Sequence, residues 1–153
     1  METWEWTLVG RMTLAAVLGY AIGFERELRG KSAGERTFAL IGLGTAALVA
    51  LGVQFSNDGA SRVIQGVAAG IGFLGAGLIF QQERGTVIGL TTAAAVWAVA
   101  AVGVLVGAGA YVAGTLGTLL AIFILVLDRL PMVRRIQPRR LREDKDGQDG
   151  HGD

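Results

Sequence analysis

The stretch that decides the fold is Gly70-Ile71-Gly72-Phe73-Leu74-Gly75-Ala76-Gly77, four glycines in eight residues. It lies inside a longer uncharged run from Val63 to Phe80. In water so many glycines read as a loop. In lipid they read as a helix with a smooth surface, because helices in a bilayer associate where small residues let their backbones come close. The flanking sequence decides between the two. The 153-residue chain is 52 % apolar and 18 % charged, and its apolar residues come in blocks of about 17–20, the length that crosses hydrocarbon as a helix. The chain is therefore expected to be all-α, a polytopic membrane protein built as a bundle of about five transmembrane helices.

The spanning segments are expected at Trp6–Phe24, Phe38–Phe55, Val63–Phe80, Leu90–Val106 and Tyr111–Leu127. Residues 1–130 form the membrane domain, and residues 131–153 form a charged tail. The tail is too polar to bury a core and is expected to be disordered, with arginines suited to an anionic leaflet. The start, Met1-Glu2-Thr3-Trp4-Glu5-Trp6, is acidic and lacks the basic region of a signal peptide, so segment one is expected to stay in place. Trp4, Trp6 and Tyr111 sit at segment ends, where amphipathic rings anchor a helix to the interface. Segments four and five are joined by the short apolar turn Gly107-Ala108-Gly109-Ala110.

Charge sets the orientation. The loops after segments one and three and the tail share one side. They carry Arg26, Arg29, Lys31, Arg36, Arg84, Arg129, Arg134, Arg135, Arg139, Arg140, Arg142 and Lys145. The other side carries only Arg62, and Arg11 lies within segment one. The positive-inside bias places the N-terminus outside and the C-terminus in the cytoplasm.

At 100° per residue Gly66, Gly70, Phe73 and Gly77 share one face of segment three, and Gln65, Ala69, Gly72 and Ala76 share another, with Gly75 widening the smooth surface. Segment three is therefore expected to be the central, buried helix. Gly19-x-x-x-Gly23 in segment one is expected to pack against one of its faces. The string Gly70-x-Gly72-x-x-Gly75 also matches a dinucleotide fingerprint, as does Gly42-Leu43-Gly44-Thr45-Ala46-Ala47 if alanine is allowed last. Both lie inside spanning segments rather than at a strand-to-helix turn, so neither is read as a nucleotide site.

Three polar groupings are candidate sites. Arg11 lies about 7 Å inside segment one at ~1.5 Å per residue. With Asp58, Arg62 and Gln65 it would form a polar cluster at the outer mouth; snorkelling of Arg11 to the surface is the simpler reading. The inner loop offers Glu25, Arg26, Glu27, Arg29, Lys31, Arg36 and Thr37. Glu25 and Arg29 are spaced to pair along a helix, Gly30 and Gly34 permit a turn, and Thr37 can cap segment two. The third grouping is Gly89-Leu90-Thr91-Thr92, with Trp97 deeper in segment four. Thr91 suits an N-cap, Thr92 follows it, and the helix start suits an anion, with capping the simpler job. The indole N–H of Trp97 is expected to need a buried acceptor.

The chain contains no cysteine, and its single histidine, His151, sits in the tail. No Ser–His–Asp set, His/Cys cluster or phosphate-loop motif is present. No enzyme activity, resident metal, cofactor or nucleic-acid partner is expected.

The ordered blocks Ala21-Ile22-Gly23-Phe24-Glu25-Arg26-Glu27-Leu28-Arg29-Gly30-Lys31-Ser32-Ala33-Gly34-Glu35-Arg36-Thr37, Gly70-Ile71-Gly72-Phe73-Leu74-Gly75-Ala76-Gly77 and Gly89-Leu90-Thr91-Thr92-Ala93-Ala94 with Trp97 resemble the MgtC/SapB family of bacterial membrane proteins. The resemblance covers residues 8–127. It implies a multi-pass protein of the bacterial plasma (inner) membrane, linked to magnesium homeostasis, acid stress and survival inside host cells. It also implies regulation of other membrane machinery, the proton-translocating ATP synthase included. Many family members carry a folded cytosolic C-terminal domain where this chain has its charged tail, so the likeness is to a short form. In the family a glutamine follows the segment-three arginine by four positions; here Gln65 follows Arg62 by three, a shift of about 100° around the helix.

The leading expectation is a regulator that binds another membrane protein, or a second copy of itself, through smooth helix faces. The alternative is a cation transporter or channel subunit, with Mg2+ as the candidate ion, Arg11, Asp58 and Gln65 at the outer mouth, and Glu25 and Glu27 at the inner one. A third reading is a lipid-binding role resting on the basic tail.

Overall fold

The computed structural model describes residues 2–55, 58–79, 82–83 and 86–127. Its helices are α1 (Glu2–Glu27), α2 (Glu35–Phe55), α3 (Gly59–Ile79), α4 (Leu90–Gly107) and α5 (Tyr111–Val126). Strands β1 (Gln82–Glu83) and β2 (Thr86–Val87) lie between α3 and α4. The architecture is helical, as expected. A small antiparallel ribbon pairs Gln82 with Val87 and Glu83 with Thr86 and leaves the all-α class unchanged. The tail, residues 131–153, lies outside the described residues, as do Arg84 and Arg129.

Four helices, α1 to α4, are long and apolar enough to cross a membrane. The expectation was five. The last, α5, is apolar and has 16 residues, and the described residues end one position after it. It runs from the unit Met1–Ile122 into a second unit, Phe123–Asp153, of which residues 123–127 are described.

Glycine closes α1 and α4 in the same way. After α4, Gly109 adopts φ 89°, its N–H donates to the Val106 carbonyl at 3.0 Å, and the Ala110 N–H donates to the Leu105 carbonyl at 2.8 Å. After α1, Gly30 adopts φ 61°, its N–H donates to the Glu27 carbonyl at 2.9 Å, and the Lys31 N–H donates to the Arg26 carbonyl at 3.1 Å. Both are Schellman motifs, in which a left-handed residue lets the chain reverse while the last carbonyls stay bonded. The expected turn at Gly30 is thus present.

The helix expected at the centre is not there. Of α3 only Ile71 and Gly75 are buried. The buried helix is α4, with Thr92, Ala93, Val96, Val99, Gly103 and Val106 among its enclosed residues, and it packs against α1, α2 and α3. Its surface is mostly Ala, Val and Gly, so it can take several neighbours at once. The face of α3 that carries Gly66, Gly70 and Gly77 also carries Phe73, which is 80 % exposed. That ring needs an apolar surround, and the bundle turns it outward. A Cβ added at Gly66, Gly70, Gly72 or Gly77 would meet nothing within 4 Å.

Other glycines carry the close contacts. A Cβ at Gly19 would lie 2.5 Å from the Phe38 carbonyl oxygen, and one at Gly23 would lie 2.6 Å from the Glu35 Cα. Gly19-x-x-x-Gly23 therefore packs on α2, not on segment three as expected. On the same seam, a Cβ at Gly42 would lie 2.5 Å from the Ala15 carbonyl oxygen. Between α2 and α4, a Cβ at Gly103 would stand 2.7 Å from the Thr45 Cβ, and one at Gly107 would stand 2.7 Å from the Ala46 carbonyl oxygen. Ala15, Ala46, Val102 and Val106 form the core where α1, α2 and α4 meet, with Leu14 and Leu18 packed against it.

Candidate functional site

The α1–α2 connection and the start of α4 meet at one end of the bundle. There Glu25 is 7 % exposed and Arg26 only 1 %. The Arg26 Nε donates to Glu25 Oε2 at 2.7 Å, and a second guanidinium nitrogen lies 2.6 Å from the same oxygen. Arg29 pairs with the other carboxylate oxygen, Oε1. The expected Glu25–Arg29 pair forms because α1 and its terminal turn carry the helical path past Glu25. The burial of Arg26 has no signal in the sequence beyond its place at the helix end. The Glu27 carboxylate packs against Gly34. Glu35, in the first turn of α2, keeps a buried Oε2 with no hydrogen-bond partner among the described residues; the positive end of its own helix favours the charge. Lys31 and Arg36 are exposed, and Arg36 Nε stands 3.9 Å from Glu35 Oε1.

Two capping expectations are corrected. Helix α2 starts at Glu35, with the Phe38 N–H donating to the Gly34 carbonyl at 3.2 Å, so Thr37 is an exposed residue inside the first turn. Helix α4 has Gly89 as its N-cap, at φ 90°, with no side-chain cap. Thr91 therefore lies inside the helix and is exposed. A Cβ at Gly89 would fall 2.3 Å from the Leu78 carbonyl oxygen. Only glycine lets the end of α3 come that close to the start of α4 in this conformation. Beside it a cavity of about 550 Å³ is lined by residues that include Lys31, Ser32, Leu78, Gly89, Thr91 and Thr92.

The outer cluster does not assemble as expected. Arg11 turns to the α4–α5 turn. Its Nε donates to the Tyr111 hydroxyl at 3.1 Å and its NH1 to the Gly107 carbonyl at 2.7 Å. Its guanidinium carbon lies 5.9 Å from the centre of the Tyr111 ring. Asp58, Arg62 and Gln65 are exposed, and no ion pair joins Arg11 to Asp58 among the described residues. The turn prevails because it offers Arg11 a carbonyl left over at a helix end and an aromatic face together. Arg11→Ala is expected to cost about 1.5–3 kcal/mol, the range for hydrogen bonds to a charged group, and Tyr111→Phe about 1 kcal/mol. Thermal unfolding of the purified protein in detergent measures both, and equal losses would remove the Gly107 carbonyl from the explanation.

Trp97 is 49 % exposed. It borders an apolar groove of about 320 Å³ with Ile64, Val67 and Ile71 of α3. The expected burial of its indole is not seen, and the N–H has no acceptor among the described residues. A second apolar groove, about 450 Å³, lies between α2 and α3 and includes Gly66 and Gly70 in its wall. Among the described residues no three His, Cys, Asp or Glu side chains gather where they could hold a metal ion.

The packing glycines that sequence reasoning missed include Gly42, Gly52, Gly103, Gly107 and Gly114. Gly103 and Gly107 stand four apart and could have been found as a small-x-x-x-small pair.

The sequence profile of the MgtC family matches residues 12–132. SrpB of Synechococcus elongatus is 43 % identical over 122 residues, covering 71 % of this chain and 67 % of that protein. YhiD of Escherichia coli strain K12, named as a candidate magnesium transporter, is 39 % identical over 124 residues, 75 % of this chain and 57 % of its own. MgtC of Brucella abortus is 43 % identical over 129 residues, 84 % of this chain and 53 % of its own. The chain thus spans a little over half the length of YhiD and MgtC and two thirds of SrpB. No solved structure matches it significantly. With a profile match across most of its length and four membrane-crossing helices, this chain is a multi-pass membrane protein and belongs to the MgtC family.

Proposed function

We propose that this protein serves magnesium homeostasis and stress adaptation in the bacterial inner membrane by regulating another membrane complex, which it contacts through the open face of α3. The observation that carries the reading is a contrast between glycines. Those at Gly19, Gly23, Gly42, Gly103 and Gly107 are filled by neighbouring backbone or side chains, whereas those at Gly66, Gly70 and Gly77 have nothing within 4 Å. In a bilayer helices associate by close packing over small residues, so a glycine-bearing face left without a neighbour suits a partner from outside the chain. The magnesium link comes from the family and from the name of the YhiD relative. The reading assigns no catalytic step. In it the N-terminus faces outward, the C-terminus lies in the cytoplasm, α5 completes the crossing with local thinning of the bilayer, and Arg26, Arg29, Lys31 and Arg36 stand at the cytoplasmic end.

The test is growth at low magnesium in a host lacking its own family member. The wild-type chain is expected to restore growth. Gly70→Leu is expected to fail while its thermal unfolding stays unchanged. The second reading, a magnesium transporter, is favoured by the name of YhiD. It predicts protein-dependent entry of Mg2+ into liposomes loaded with a Mg2+-sensitive dye, and such flux would overturn the regulatory reading. The same cysteine-free chain, given single cysteines by Asp58→Cys or Lys31→Cys, checks orientation: an impermeant thiol reagent on intact cells should label the first only.

A further inference from the structure

We infer that the cavity at the start of α4 is a binding site for a phosphate oxyanion, either free phosphate or the phosphate of a lipid headgroup. The inference is independent of the regulatory reading. Three observations carry it. The N–H groups of Leu90, Thr91 and Thr92 open an 18-residue helix and have no hydrogen-bond partner among the described residues; the first intrahelical bond runs from the Ala93 N–H to the Gly89 carbonyl at 2.9 Å. Such amides, at the positive end of a helix, suit an anion.

The second observation is independent of the helix end. Thr92 is only 2 % exposed, lines the cavity, and makes no hydrogen bond among the described residues. Elsewhere Thr7, Thr115 and Thr118 each donate to the carbonyl four residues back, at 2.8–2.9 Å. For Thr92 the residue four back is Ile88, which precedes the N-cap Gly89 and lies outside the helix. Helical Cα–Cβ bonds tilt towards the N-terminus, which sets the Thr92 side chain on the side of the open amides. The Thr92 oxygen is not among the fully enclosed side-chain atoms that lack a partner, so it keeps some accessible surface, and an oxyanion in the cavity would accept from it.

The third observation is charge. Lys31 borders the cavity, is exposed, and has no ion pair among the described residues; no acidic residue is in the described lining. The volume, about 550 Å³, falls in the ~300–1,000 Å³ range of small-ligand sites. An oxyanion seated there would accept from the amides and the Thr92 hydroxyl and face the Lys31 ammonium.

The test uses the full chain. One arm titrates inorganic phosphate into detergent-solubilised protein by calorimetry, with chloride matched for ionic strength. The other compares nanodiscs of phosphatidic acid in phosphatidylcholine with phosphatidylcholine alone, reading the shift in thermal unfolding. Saturable, phosphate-specific binding is expected in at least one arm, and the arm that responds identifies the source. Thr92→Val and Lys31→Gln are each expected to weaken it by about tenfold or more, the loss that follows from removing one charge-assisted contact. Thr92→Val keeps the side-chain shape, so the ligand-free protein should be about as stable as wild type. No saturable binding in either arm, or binding left unchanged by both substitutions, would overturn the inference.

Discussion

Replacing Glu25 with alanine is expected to destabilise the protein by about 3–5 kcal/mol, the range for leaving one member of a buried ion pair without its partner. Arg26 is 1 % exposed, and its guanidinium meets the Glu25 carboxylate at 2.6–2.7 Å. Arg29 takes the other oxygen of the same group. One carboxylate thus pairs with one fully buried and one partly buried cation, and its removal leaves Arg26 charged in a low-dielectric setting. Glu25→Gln keeps an acceptor but not the charge and should cost less. Arg26→Met removes the buried charge while roughly keeping its volume and should cost least, because Glu25 retains Arg29. The order alanine, glutamine, then the Arg26 variant is what thermal unfolding in detergent should return. A loss below about 1 kcal/mol for Glu25→Ala, the size of a surface pair, would mean that Arg26 finds another acceptor. The effect should reach the proposed oxyanion site, because the Arg26 carbonyl accepts from the Lys31 N–H and so helps to place Lys31.

Gly19→Ala should also be costly, by about 1–3 kcal/mol, as one methyl too many in a filled site. The new Cβ would stand 2.5 Å from the Phe38 carbonyl oxygen and 3.0 Å from its carbon. These are backbone atoms, so no rotamer change relieves the clash and α1 must move away from α2. Gly42 faces Ala15 on the same seam. The double variant Gly19→Ala/Gly42→Ala should therefore lose less than the sum of the singles, since one separation of the helices relieves both. Gly70→Ala makes the control. It belongs to the glycine run that dominates the sequence, yet its Cβ meets nothing within 4 Å. It should change stability by no more than about 0.5 kcal/mol, apart from a gain in helix propensity. Equal losses at Gly19 and Gly70 would restore α3 to the centre of the bundle and remove the basis for the proposed partner face.

What the sequence determined by itself was local or one-dimensional. Block length and apolarity specify helices that cross lipid, since backbone groups in hydrocarbon must bond within their own segment. The four-residue step from Glu25 to Arg29 specifies a pair on one helix face, and Gly30 and Gly109 mark where the chain reverses. The tertiary structure decided which helices touch. In a soluble bundle apolar periodicity separates inside from outside. Here both sides are apolar, so α3 and α4 look alike in sequence, and glycine runs carry no label for filled or open. Shape settles it: the small side chains of α4 admit three neighbours, while Phe73 turns the glycine face of α3 outward. The same limit explains Arg11. Its cost within the membrane was legible, but its choice of Tyr111 and the Gly107 carbonyl over Asp58 depended on a turn about a hundred residues away being folded beside it.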